Sequence, residues 1–483
     1  MMNDDEFIEL CNDEINPHLY KQMPFAWLKK HYALPFKEDD EFIFIAFGKA
    51  YEREILDKAQ EFFKHKFIKA VRTNAPQILG LLAEFELKDK IQSLINELKF
   101  ELENSQNSQD KTAVSKLFEL IIAQSIEKRA SDIHIEPSED EAMIRFRVDG
   151  VLSEFIRLES KIYQALTLYI KLLAHLNVAE QRKAQDGSFT LSLNALKYDF
   201  RLSTLPLLYG ESLVLRILEH KKDFLSLENL RLEARNLKHF KRAIHQPFGL
   251  ILLTGPTGSG KSTTLYAALN EIKSLEKKII TAEDPIEYRL PLVQQIILNE
   301  KAGLDFNNAL RTILRQDPDV IVIGEIRDEE SLDIAIKSSL TGHLVFSTLH
   351  TNDSISAIAR MLDMNAKAYL IASSLSVVIA QRLVRKLCEV CKIKSAKSYE
   401  YEGEFYEAVG CEHCKMSGYV GREVVSEFLF IDENIASLIR TNAKPNEILT
   451  MARKNGFKTM FEVGLQKAKE GITSIDELFR VMR

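Results

Sequence analysis

The sequence predicts an α/β protein of several domains, whose second half is built around a doubly wound parallel sheet. Short apolar runs such as Leu250–Thr254 and Val320–Ile323 alternate in that half with stretches compatible with helices. This pattern is typical of central parallel strands, which are buried on both faces. The middle of the chain shows alternating polarity instead, as in Ala142–Val148, and this favours an antiparallel sheet in an α+β domain.

Length and turn signals divide the chain into three predicted regions. Its 483 residues are enough for about three domains of ordinary size. Residues 1–105 are predicted to form a small mixed domain with a strand at Phe42–Ala46 and an amphipathic helix at Glu52–Phe63. The polar stretch Asn104–Asp110, which reads NSQNSQD, is predicted to be the linker that follows.

The second region, residues 111–225, is the predicted α+β domain. It is expected to begin with a helix at Val114–Arg129, where apolar residues recur at helical spacing. Turns are predicted from two Asp-Gly pairs, at Asp149–Gly150 and Asp186–Gly187. Strands are predicted at Asp132–Glu136, Ala142–Val148 and Tyr198–Ser203.

The third region, residues 233–483, is the predicted doubly wound domain. Further strands are expected at Lys278–Ala282 and Leu344–Phe346, and the last ~60 residues have a helical pattern. The most apolar stretch, Ala368–Val384, is interrupted by polar side chains, whereas a membrane span needs ~18 consecutive apolar residues. It is therefore predicted to be a buried helix.

Composition and charge exclude several classes of protein. Hydrophobic residues make up 46% of the chain and charged residues 28%, which is ordinary for a globular protein and unlike a disordered or fibrous one. The formal net charge of −6 argues against binding of nucleic acid over the whole surface. The N-terminus, MMNDDEFIEL, lacks the basic and apolar parts of a secretory signal. We therefore expect a cytoplasmic protein, in which any role at a membrane would work through a partner or by surface contact.

A phosphate-binding loop is predicted at Gly255–Ser262, where GPTGSGKS matches the pattern GxxxxGK[ST]. An apolar strand precedes the match and a helix-compatible stretch follows it, and in this setting backbone N–H groups cradle phosphates. Lys261 is expected to bridge the β- and γ-phosphates, and the Ser262 hydroxyl to ligate Mg²⁺. A glycine-rich turn without a ligand is the alternative. The predicted nucleotide-binding residues are Gly255, Pro256, Thr257, Gly258, Ser259, Gly260, Lys261, Ser262 and Thr263.

A strand that ends in a carboxylate is expected to serve the same site. Asp319–Arg327 reads DVIVIGEIR, in which an apolar run leads to Gly324 and Glu325. A typical Walker B strand carries Asp-Glu at this point, so glycine replaces the usual metal-organising aspartate. Glu325 remains as the candidate to orient and polarise the attacking water. The alternative is a glutamate that is merely exposed at a strand end.

The cysteines predict a metal centre. Four of the five form two C-x2-C pairs separated by nineteen residues, and such pairs hold one zinc ion in a closed structural site. A redox dithiol is the alternative, although the thioredoxin-like setting is missing from the sequence. His413 is expected to be a bystander, and Cys11 stands apart as an ordinary thiol. The predicted zinc ligands are Cys388, Cys391, Cys411 and Cys414.

From the phosphate loop onward, the motifs and their order resemble those of the ATPases of type II secretion and type IV pilus assembly. AEDPIEY at Ala282–Tyr288 is similar to the Asp box of that family. RTILRQDPDVIVIGEIRD at Arg311–Asp328 is similar to its Walker B region, including the glycine. TGHLVFSTLHTND at Thr341–Asp353 is similar to its His box.

The resemblance extends upstream of the phosphate loop. SDIHIEP at Ser131–Pro137, RFRVDG at Arg145–Gly150 and the stretch around Gly210 resemble the family's preceding domain. Residues 1–105 match weakly, in the manner of its variable N-terminal domain. The resemblance therefore covers about 370 residues. It implies a RecA-like P-loop ATPase domain, preceded by a PAS-like α+β domain and a small mixed docking domain.

The resemblance also implies roles for residues outside the phosphate loop. Glu283, in the Asp box, would help to organise Mg²⁺ or its waters. His350, with His343 as a second candidate, would sense the γ-phosphate. Arg201 and Arg216 match arginines that close over the phosphates, where a guanidinium neutralises transition-state charge. The alternative for these arginines is a surface ion pair.

The family resemblance also implies which proteins are the partners and whether the motor assembles or retracts a filament. The resemblance implies a homohexamer that hydrolyses ATP with Mg²⁺, and partners that are an inner-membrane platform protein and its cytoplasmic docking proteins. The machine would serve type II secretion, type IV pili or DNA uptake. A zinc module at about 385–425 favours assembly over retraction, because the retraction ATPases generally lack it. Arg311 and Arg315, four residues apart, are expected to share a helix face toward a neighbouring subunit.

Two rival functions remain open from the sequence. A nucleic-acid translocase can share a RecA-like core, but it needs a basic, aromatic channel, and we expect no direct nucleic-acid partner. A scaffold that uses ATP only for assembly is disfavoured by the presence of Lys261, Ser262 and Glu325. Stimulation of ATP hydrolysis by DNA distinguishes the first rival, and a turnover assay the second.

Overall fold

The computed structural model describes most of the chain, and the chain falls into two compact units. The first unit is Met1–Glu219 with Cys411–Met416, and the second is His220–Gly410 with Ser417–Arg483. The described residues are 8, 10, 15–51, 53–104, 113–193, 196–218, 226–298, 304–397 and 399–482.

The first unit begins with a small three-stranded sheet and its helices. Strand β2 pairs antiparallel with β1 and parallel with β3. The strand predicted at Phe42–Ala46 and the helix predicted at Glu52–Phe63 are confirmed as β2 and α3, whereas the predicted linker, apart from Asn104, and Cys11 lie outside the described residues. The elements are α1 (Pro17–Tyr20), α2 (Phe25–His31), β1 (Ala33–Glu38), β2 (Phe42–Phe47), α3 (Arg53–Gln60), β3 (Phe67–Arg72) and α4 (Ala75–Asn104).

The long helix α4 takes part in two hydrophobic cores of the first unit. Ile78 and Leu82, near its start, are buried in the core around the three-stranded sheet. Ile91 and Ile95, further along, are buried in the core of the sheet that follows. One continuous helix thus joins the two cores, because its apolar residues face different neighbours along its length.

The second part of the first unit is an antiparallel sheet with helices, as predicted. Six strands are arranged in the order β6-β5-β4-β9-β8-β7. The turn predicted at Asp149–Gly150 is confirmed between β5 and β6, and both residues have positive φ, 48° and 85°. The elements are α5 (Ala113–Glu127), β4 (Ala130–Pro137), β5 (Glu141–Val148), β6 (Val151–Glu159), α6 (Ser160–Leu173), β7 (Gln185–Leu193), β8 (Leu196–Leu207) and β9 (Gly210–Leu218).

The turn predicted at Asp186–Gly187 was wrong, because both residues lie within strand β7. A Cβ on Gly187 would stand 2.7 Å from the Ala174 carbonyl oxygen and 2.8 Å from Cδ2 of Leu176. Glycine is therefore required by the close approach of the chain that leaves α6, and not by a change of direction.

The second unit alternates strands and helices through its first half. The strands predicted at Leu250–Thr254, Lys278–Ala282, Val320–Ile323 and Leu344–Phe346 are confirmed, with small shifts at their ends. The elements are a 3₁₀ turn (Glu228–Leu230), α7 (Ala234–Ile244), β10 (Gly249–Thr254), α8 (Lys261–Ile272), β11 (Ile279–Glu283), β12 (Val293–Ile297), α9 (Phe306–Ile313), β13 (Val320–Ile323), α10 (Glu329–Leu340), β14 (Leu344–Leu349) and α11 (Ser354–Asp363).

The second half of this unit adds a hairpin and a group of helices. The helical pattern of the last ~60 residues is confirmed from Glu433 onward. The elements are α12 (Ala368–Ser374), β15 (Leu375–Leu387), β16 (Ile393–Lys394), β17 (Tyr406–Glu407), a 3₁₀ turn (Glu412–Cys414), β18 (Tyr419–Phe430), α13 (Glu433–Arg440), α14 (Pro445–Lys454), α15 (Met460–Lys469) and α16 (Ile475–Met482).

A seven-stranded sheet organises the second unit, in the order β12-β11-β13-β14-β10-β15-β18. All neighbouring pairs are parallel except β15 and β18, which are antiparallel. Separate buried clusters cover its two faces, which confirms the doubly wound arrangement. In such a sheet the carboxyl ends of the parallel strands share one edge, where ligands bind.

The buried helix predicted at Ala368–Val384 was wrong in its second half. Helix α12 ends at Ser374 and the chain continues as strand β15. Residues Val377, Val378 and Ile379 are completely buried beside β10. Their β-branched side chains favour a strand inside a sheet, and an apolar run alone does not separate that from a buried helix. Among the described residues, none of the helices has the length and apolar character needed to cross a bilayer.

Candidate functional site

The predicted phosphate loop connects the end of β10 to the start of α8. Gly258 and Gly260 have positive φ, 78° and 89°, and Gly260 is the residue that precedes the helix. A Cβ on Gly255 would lie 2.5 Å from the Gln381 carbonyl oxygen and 2.7 Å from the Ser259 hydroxyl oxygen. These positions require glycine, and they shape a loop that curls over the N-terminus of α8.

Lys261 is folded into this loop. Its Nζ donates to the carbonyl oxygens of Gly255 at 2.7 Å and Pro256 at 3.0 Å. Burial, with the nearby positive charge of Arg382, lowers the pKa of Lys261 to about 8. An anion that contacts the ammonium would offset both effects, so the loop favours a negatively charged ligand.

Polar atoms around the loop fit a phosphate chain. Ser259 and Thr264 are buried, and within the described part of the chain their hydroxyl oxygens have no hydrogen-bond partner. Ser262, by contrast, is exposed at the first turn of α8, where a hydroxyl can reach a metal ion. A nucleotide supplies acceptors for such hydroxyls and for the N–H groups at the helix start.

The strand register aligns the other predicted site residues along the same edge. Thr254, the last residue of β10, pairs with Leu349, so His350 follows directly beside the loop. Ile323 pairs with Ser347 on one side and with Ala282 on the other. The predicted residues Glu283, Glu325 and His350 therefore lie at or just beyond the ends of neighbouring strands, and Lys261 follows the loop that leaves the next strand, β10.

Glu325 and His350 stand close together at this edge. His350 Nε2 lies 3.6 Å from a carboxylate oxygen of Glu325, and Arg327 donates to the other oxygen. The pKa of His350 is lowered by burial and by the positive charges of Lys261 and Arg327. The imidazole is therefore neutral near pH 7, beside an ionisable carboxylate that is only part-exposed.

The structure gives a physical reason for the glycine before Glu325. A Cβ on Gly324 would lie 2.9 Å from the Ala282 carbonyl oxygen and 3.3 Å from Cα of Glu283. The N–H of Gly324 also donates to that same carbonyl, at 2.8 Å. The neighbouring strand approaches too closely for any side chain at this position, so an aspartate cannot stand there.

Glu283 is buried, and both of its carboxylate oxygens accept hydrogen bonds. Thr281 donates to one oxygen at 2.7 Å, and Gln295 approaches the same oxygen at 3.3 Å. The Tyr266 hydroxyl donates to the other oxygen. Sequence reasoning missed Tyr266 and Gln295, because only the fold brings α8 and β12 to the end of β11.

Three predicted residues lie elsewhere. His343 precedes β14 and so lies at its amino end, roughly 20 Å from His350 at ~3.3 Å per residue, and its Nδ1 contacts the Ser338 carbonyl oxygen at 3.0 Å. Helix α9 ends at Ile313, so the prediction that Arg311 and Arg315 share a helix face was wrong. Arg311 pairs with Glu330, while Arg315 bonds the Arg311 carbonyl.

Strand β15 supplies two side chains that sequence reasoning also missed. Gln381 donates to the Ser259 carbonyl oxygen at 2.9 Å. Arg382 donates to Asn352, in the loop after His350, at 3.2 Å. Gln381 thus holds the backbone of the phosphate loop, whereas Arg382 holds a side chain of the loop after β14, and neither residue belongs to a local motif.

In the first unit, Arg201 and Arg216 belong to one cross-strand row. Arg216 pairs in register with Arg201 on β8 and with Asp132 on β4, which in turn pairs with Arg147. Directly opposed residues project from the same face of a sheet. Arg216 Nε lies 3.0 Å from the buried Asp132 carboxylate, and Arg147 Nε lies 3.7 Å from it. Two guanidinium groups of this row, those of Arg216 and Arg147, therefore lie near one carboxylate, and Arg201 extends the row onto the next strand.

The four predicted zinc ligands come together. Their sulfur atoms all lie within 4.8 Å of one another, and those of Cys411 and Cys414 are 3.7 Å apart. Tetrahedral zinc with bonds of ~2.3 Å places its sulfurs ~3.8 Å apart. Backbone N–H groups of Gly410 and Cys411 point at the sulfurs of Cys391 and Cys414, at 3.3 and 3.0 Å. Such donors stabilise thiolates, so the donor set fits zinc.

Comparisons with known proteins identify the family to which the chain is similar. Residues 107–480 match the family described as type II/IV secretion system protein, and residues 5–92 match the MshEN domain. The chain is 39% identical over 445 residues to the type II secretion system ATPase E of Vibrio cholerae, covering 89% of this chain and 87% of that protein. It is 35% identical over 498 residues to the type IV pilus assembly ATPase PilB of Myxococcus xanthus, covering 98% and 88%.

Solved structures give the same fold. The pilus retraction motor PilT with bound ADP is 29% identical to this chain, with a TM-score of 0.53, and the match covers 74% of this chain and 95% of that one. The ATPase DotB of Legionella pneumophila aligns with a TM-score of 0.59 at 22% identity, over 78% and 97% of the two chains. The DotB likeness shows the fold alone.

Proposed function

This chain belongs to the type II/IV secretion system protein family, and we propose that its ATP hydrolysis drives the assembly of a pilus or pseudopilus. It is an ATPase with the RecA-like fold of secretion ATPases and a cysteine cluster near its C-terminus. One observation supports the proposal most strongly. Lys261, Glu325 and His350 lie on one edge of the parallel sheet, around a loop shaped for phosphates.

Within this site, the phosphate loop binds ATP, and the residues at the strand ends take part in its hydrolysis. The backbone of Gly255–Gly260 and the Lys261 ammonium hold the β- and γ-phosphates of ATP. Glu325 accepts a hydrogen bond from the attacking water and so orients it toward the γ-phosphate. His350, which is neutral, stands 3.6 Å from Glu325 and responds to the presence of the γ-phosphate.

The Ser262 hydroxyl and the carboxylate end of β11 would hold magnesium and its waters. When bound, magnesium would supply positive charge that offsets the charge developing on the transferred phosphoryl group. Ser262 is exposed at the first turn of α8, so it is the ligand from the loop. Glu283 is mostly engaged by protein donors, so it acts through oriented waters. Ser262 and Glu283 together thus take the role of the usual Walker B aspartate, whose position is occupied here by Gly324.

Arg201 and Arg216 are proposed to close over the phosphates during hydrolysis. Arg216 and Arg147 both lie near the one carboxylate of Asp132, at 3.0 and 3.7 Å, and Arg216 is in register with Arg201. A guanidinium of this row can therefore turn to a phosphate and leave Asp132 paired with another arginine. We further infer that the six-stranded sheet and its helices form a PAS-like domain. A small docking domain precedes it in the chain.

The zinc module is proposed to be structural. Four cysteine thiolates leave no open position on the metal, so the ion would stabilise the chain at Cys388–Cys414 and take no part in hydrolysis. The module lies next to the β15–β18 hairpin, since Cys388 directly follows β15 and its N–H donates to Gly418 at 2.9 Å.

We propose a cytoplasmic homohexamer that docks at the inner membrane through partners. The names of its relatives, a type II secretion ATPase and a type IV pilus assembly ATPase, support an inner-membrane platform protein and its cytoplasmic docking proteins as those partners. Residues 1–105, most of which match the MshEN domain, are the proposed docking region. Direct binding of nucleic acid is not part of this proposal.

The deciding experiment is ATP turnover by the Lys261→Ala variant of the full chain. We expect turnover to fall to background, because the phosphates lose their fixed cation, while the melting temperature stays within a few degrees of wild type. Lys337→Ala, an exposed residue of α10, is the matched control and should be as active as wild type. Wild-type turnover in Lys261→Ala would overturn the assigned site, and strong stimulation of the wild type by DNA would favour a translocase.

Zinc content tests the metal module. We expect about one zinc ion per chain by elemental analysis. The Cys388→Ser variant should lose the metal and unfold at lower temperature, whereas Ser417→Ala, close by in the sequence, should keep both. A stable wild-type protein without metal would contradict a structural zinc site.

A further inference from the structure

Glu283 is held by side chains from three different elements. Thr281, two residues earlier on β11, donates to Oε1 at 2.7 Å, and the hydroxyl of Tyr266 on α8 donates to Oε2. Gln295, on β12, approaches Oε1 at 3.3 Å. Tyr266 and Thr281 are completely buried, and Glu283 is nearly so. Both carboxylate oxygens are therefore fixed by the fold.

Tyr266 connects Glu283 to the helix that carries the phosphate loop. It lies four residues after Ser262, so the two side chains share one face of α8. Its oxygen also accepts a hydrogen bond from the N–H of Glu287 at 3.3 Å. Burial, followed by the charge of Glu283, raises the pKa of Tyr266 well above its usual range. The hydroxyl thus stays protonated and remains a donor.

Both polar atoms of the Gln295 amide form hydrogen bonds with the loop between β11 and β12. Its Nε2 donates to the Tyr288 carbonyl oxygen at 2.8 Å as well as reaching Glu283, and its Oε1 accepts from the N–H of Leu290 at 2.9 Å. The orientation of the amide is therefore fixed, because its oxygen must accept a hydrogen bond and its nitrogen must donate one. Gln295 fixes the path of the chain that leaves Glu283.

We propose that Tyr266 and Gln295 are positioning residues for ATP hydrolysis, which lock Glu283 in the orientation that magnesium bound at Ser262 requires. This inference rests on the proposed function, and it assigns roles to two residues outside every motif of the site. The reason is geometric. A carboxylate that has lost a donor is free to rotate, and Glu283 directly follows Ala282, whose carbonyl oxygen accepts a hydrogen bond from the N–H of Gly324 at 2.8 Å.

Partners of this kind tune metal affinity. Groups that hydrogen-bond to a metal-organising residue are worth about 10- to 100-fold in metal affinity or activity. A purely structural hydrogen bond would lower stability without changing how binding depends on magnesium. Metal dependence therefore separates the two roles.

The experiment measures the Kd of a fluorescent ATP analogue in Mg²⁺ and in EDTA, for the full chain and its Tyr266→Phe and Gln295→Met variants. We expect the gain in affinity due to Mg²⁺ to fall about ten-fold in each variant, while the Kd in EDTA stays at the wild-type value. At saturating ATP, the Mg²⁺ concentration for half-maximal kcat should rise, and high Mg²⁺ should restore most of kcat.

Tyr419→Phe is the matched control. Its hydroxyl is also largely buried and bonds Ser474 at 2.7 Å in the same unit, but it lies outside the nucleotide site. We expect its Mg²⁺ dependence to equal that of wild type, whatever the change in melting temperature. A loss of Mg²⁺ dependence in Tyr419→Phe equal to that in Tyr266→Phe would overturn the inference.

The remaining outcomes separate this inference from the proposed function. If Mg²⁺ strengthens nucleotide binding by the wild type but equally by Tyr266→Phe and Gln295→Met, the positioning roles are refuted and the proposed function stands. If the wild type binds no nucleotide, or binds it equally with and without Mg²⁺, the proposed function fails and this inference fails with it.

Discussion

The two large sheets of this protein carry their functional charges in different places. In the parallel sheet the charged candidates Glu283, Glu325 and Lys261 stand at or just beyond strand ends, and the strand interiors are apolar. In the antiparallel sheet, Arg201 and Arg216 stand within their strands, in a row that crosses the sheet.

Burial explains the difference. A parallel strand covered on both faces cannot hold a charge along its length, so its chemistry moves to the edge where the strands end. An antiparallel sheet with one open face tolerates charges at every second residue. A site at the ends of parallel strands therefore depends on contiguous sequence motifs. A row of charges across an antiparallel sheet depends instead on the register in which the strands pair.

The largest effect is expected from the arginine row. Arg216→Ala should lower kcat about 10³-fold or more, because an arginine that neutralises the γ-phosphoryl group is worth that much, while ATP still binds. The measurement is single-turnover hydrolysis. Arg157→Ala, an exposed residue of edge strand β6, should leave kcat unchanged, and undiminished kcat in Arg216→Ala would show that the row is only structural.

Next in size is the test of the strand ends. Glu325→Gln should lower kcat at least about 10²-fold and retain ATP, because the amide cannot polarise water as a carboxylate does. His343→Gln, at the opposite end of β14, should hydrolyse ATP at the wild-type rate. An equal loss of kcat in both variants would contradict a catalytic site at the carboxyl ends of the strands.

A smaller effect is expected from the glycine that replaces the usual aspartate. Gly324→Ala should reduce the free energy of unfolding by about 1–3 kcal/mol, because its Cβ overlaps the neighbouring strand. Denaturant titration measures this. Gly80→Ala, which has open space around it in helix α4, should be neutral or stabilise by up to ~1 kcal/mol. A stable and active Gly324→Ala would contradict the close approach.

The smallest effect concerns pH. The pKa of His350 lies below its ordinary value of 6.5, so most of the imidazole is still neutral when the pH has fallen from 7.5 to 6.5, and arginines do not titrate. We expect kcat to change less than about two-fold over that range and to fall in more acid solution. The profile of His350→Gln should differ only in the acid limb. A wild-type loss centred above pH 6.5 would contradict the lowered pKa.

Much of the fold was predictable because its signals are local. Apolar runs specified β10, β11, β13 and β14, and alternation specified the antiparallel sheet. Two predictions failed where one local signal fits two structures. The apolar run Ala368–Val384 divides between helix and strand, and Gly187 serves a close approach inside β7 and not a turn.

The sequence by itself determined the phosphate loop, the apolar strand that leads to Glu325 and the paired cysteines. Each of these depends on contiguous residues, whose backbone geometry and ligand spacing are set within a few positions. Only the tertiary structure decided that His350 stands beside Glu325 while His343 lies at the far end of the strand. It also decided that Arg216 meets Asp132, and that Tyr266 and Gln295 hold Glu283. These pairings join distant parts of the chain, and their geometry exists only once strand order and register are fixed.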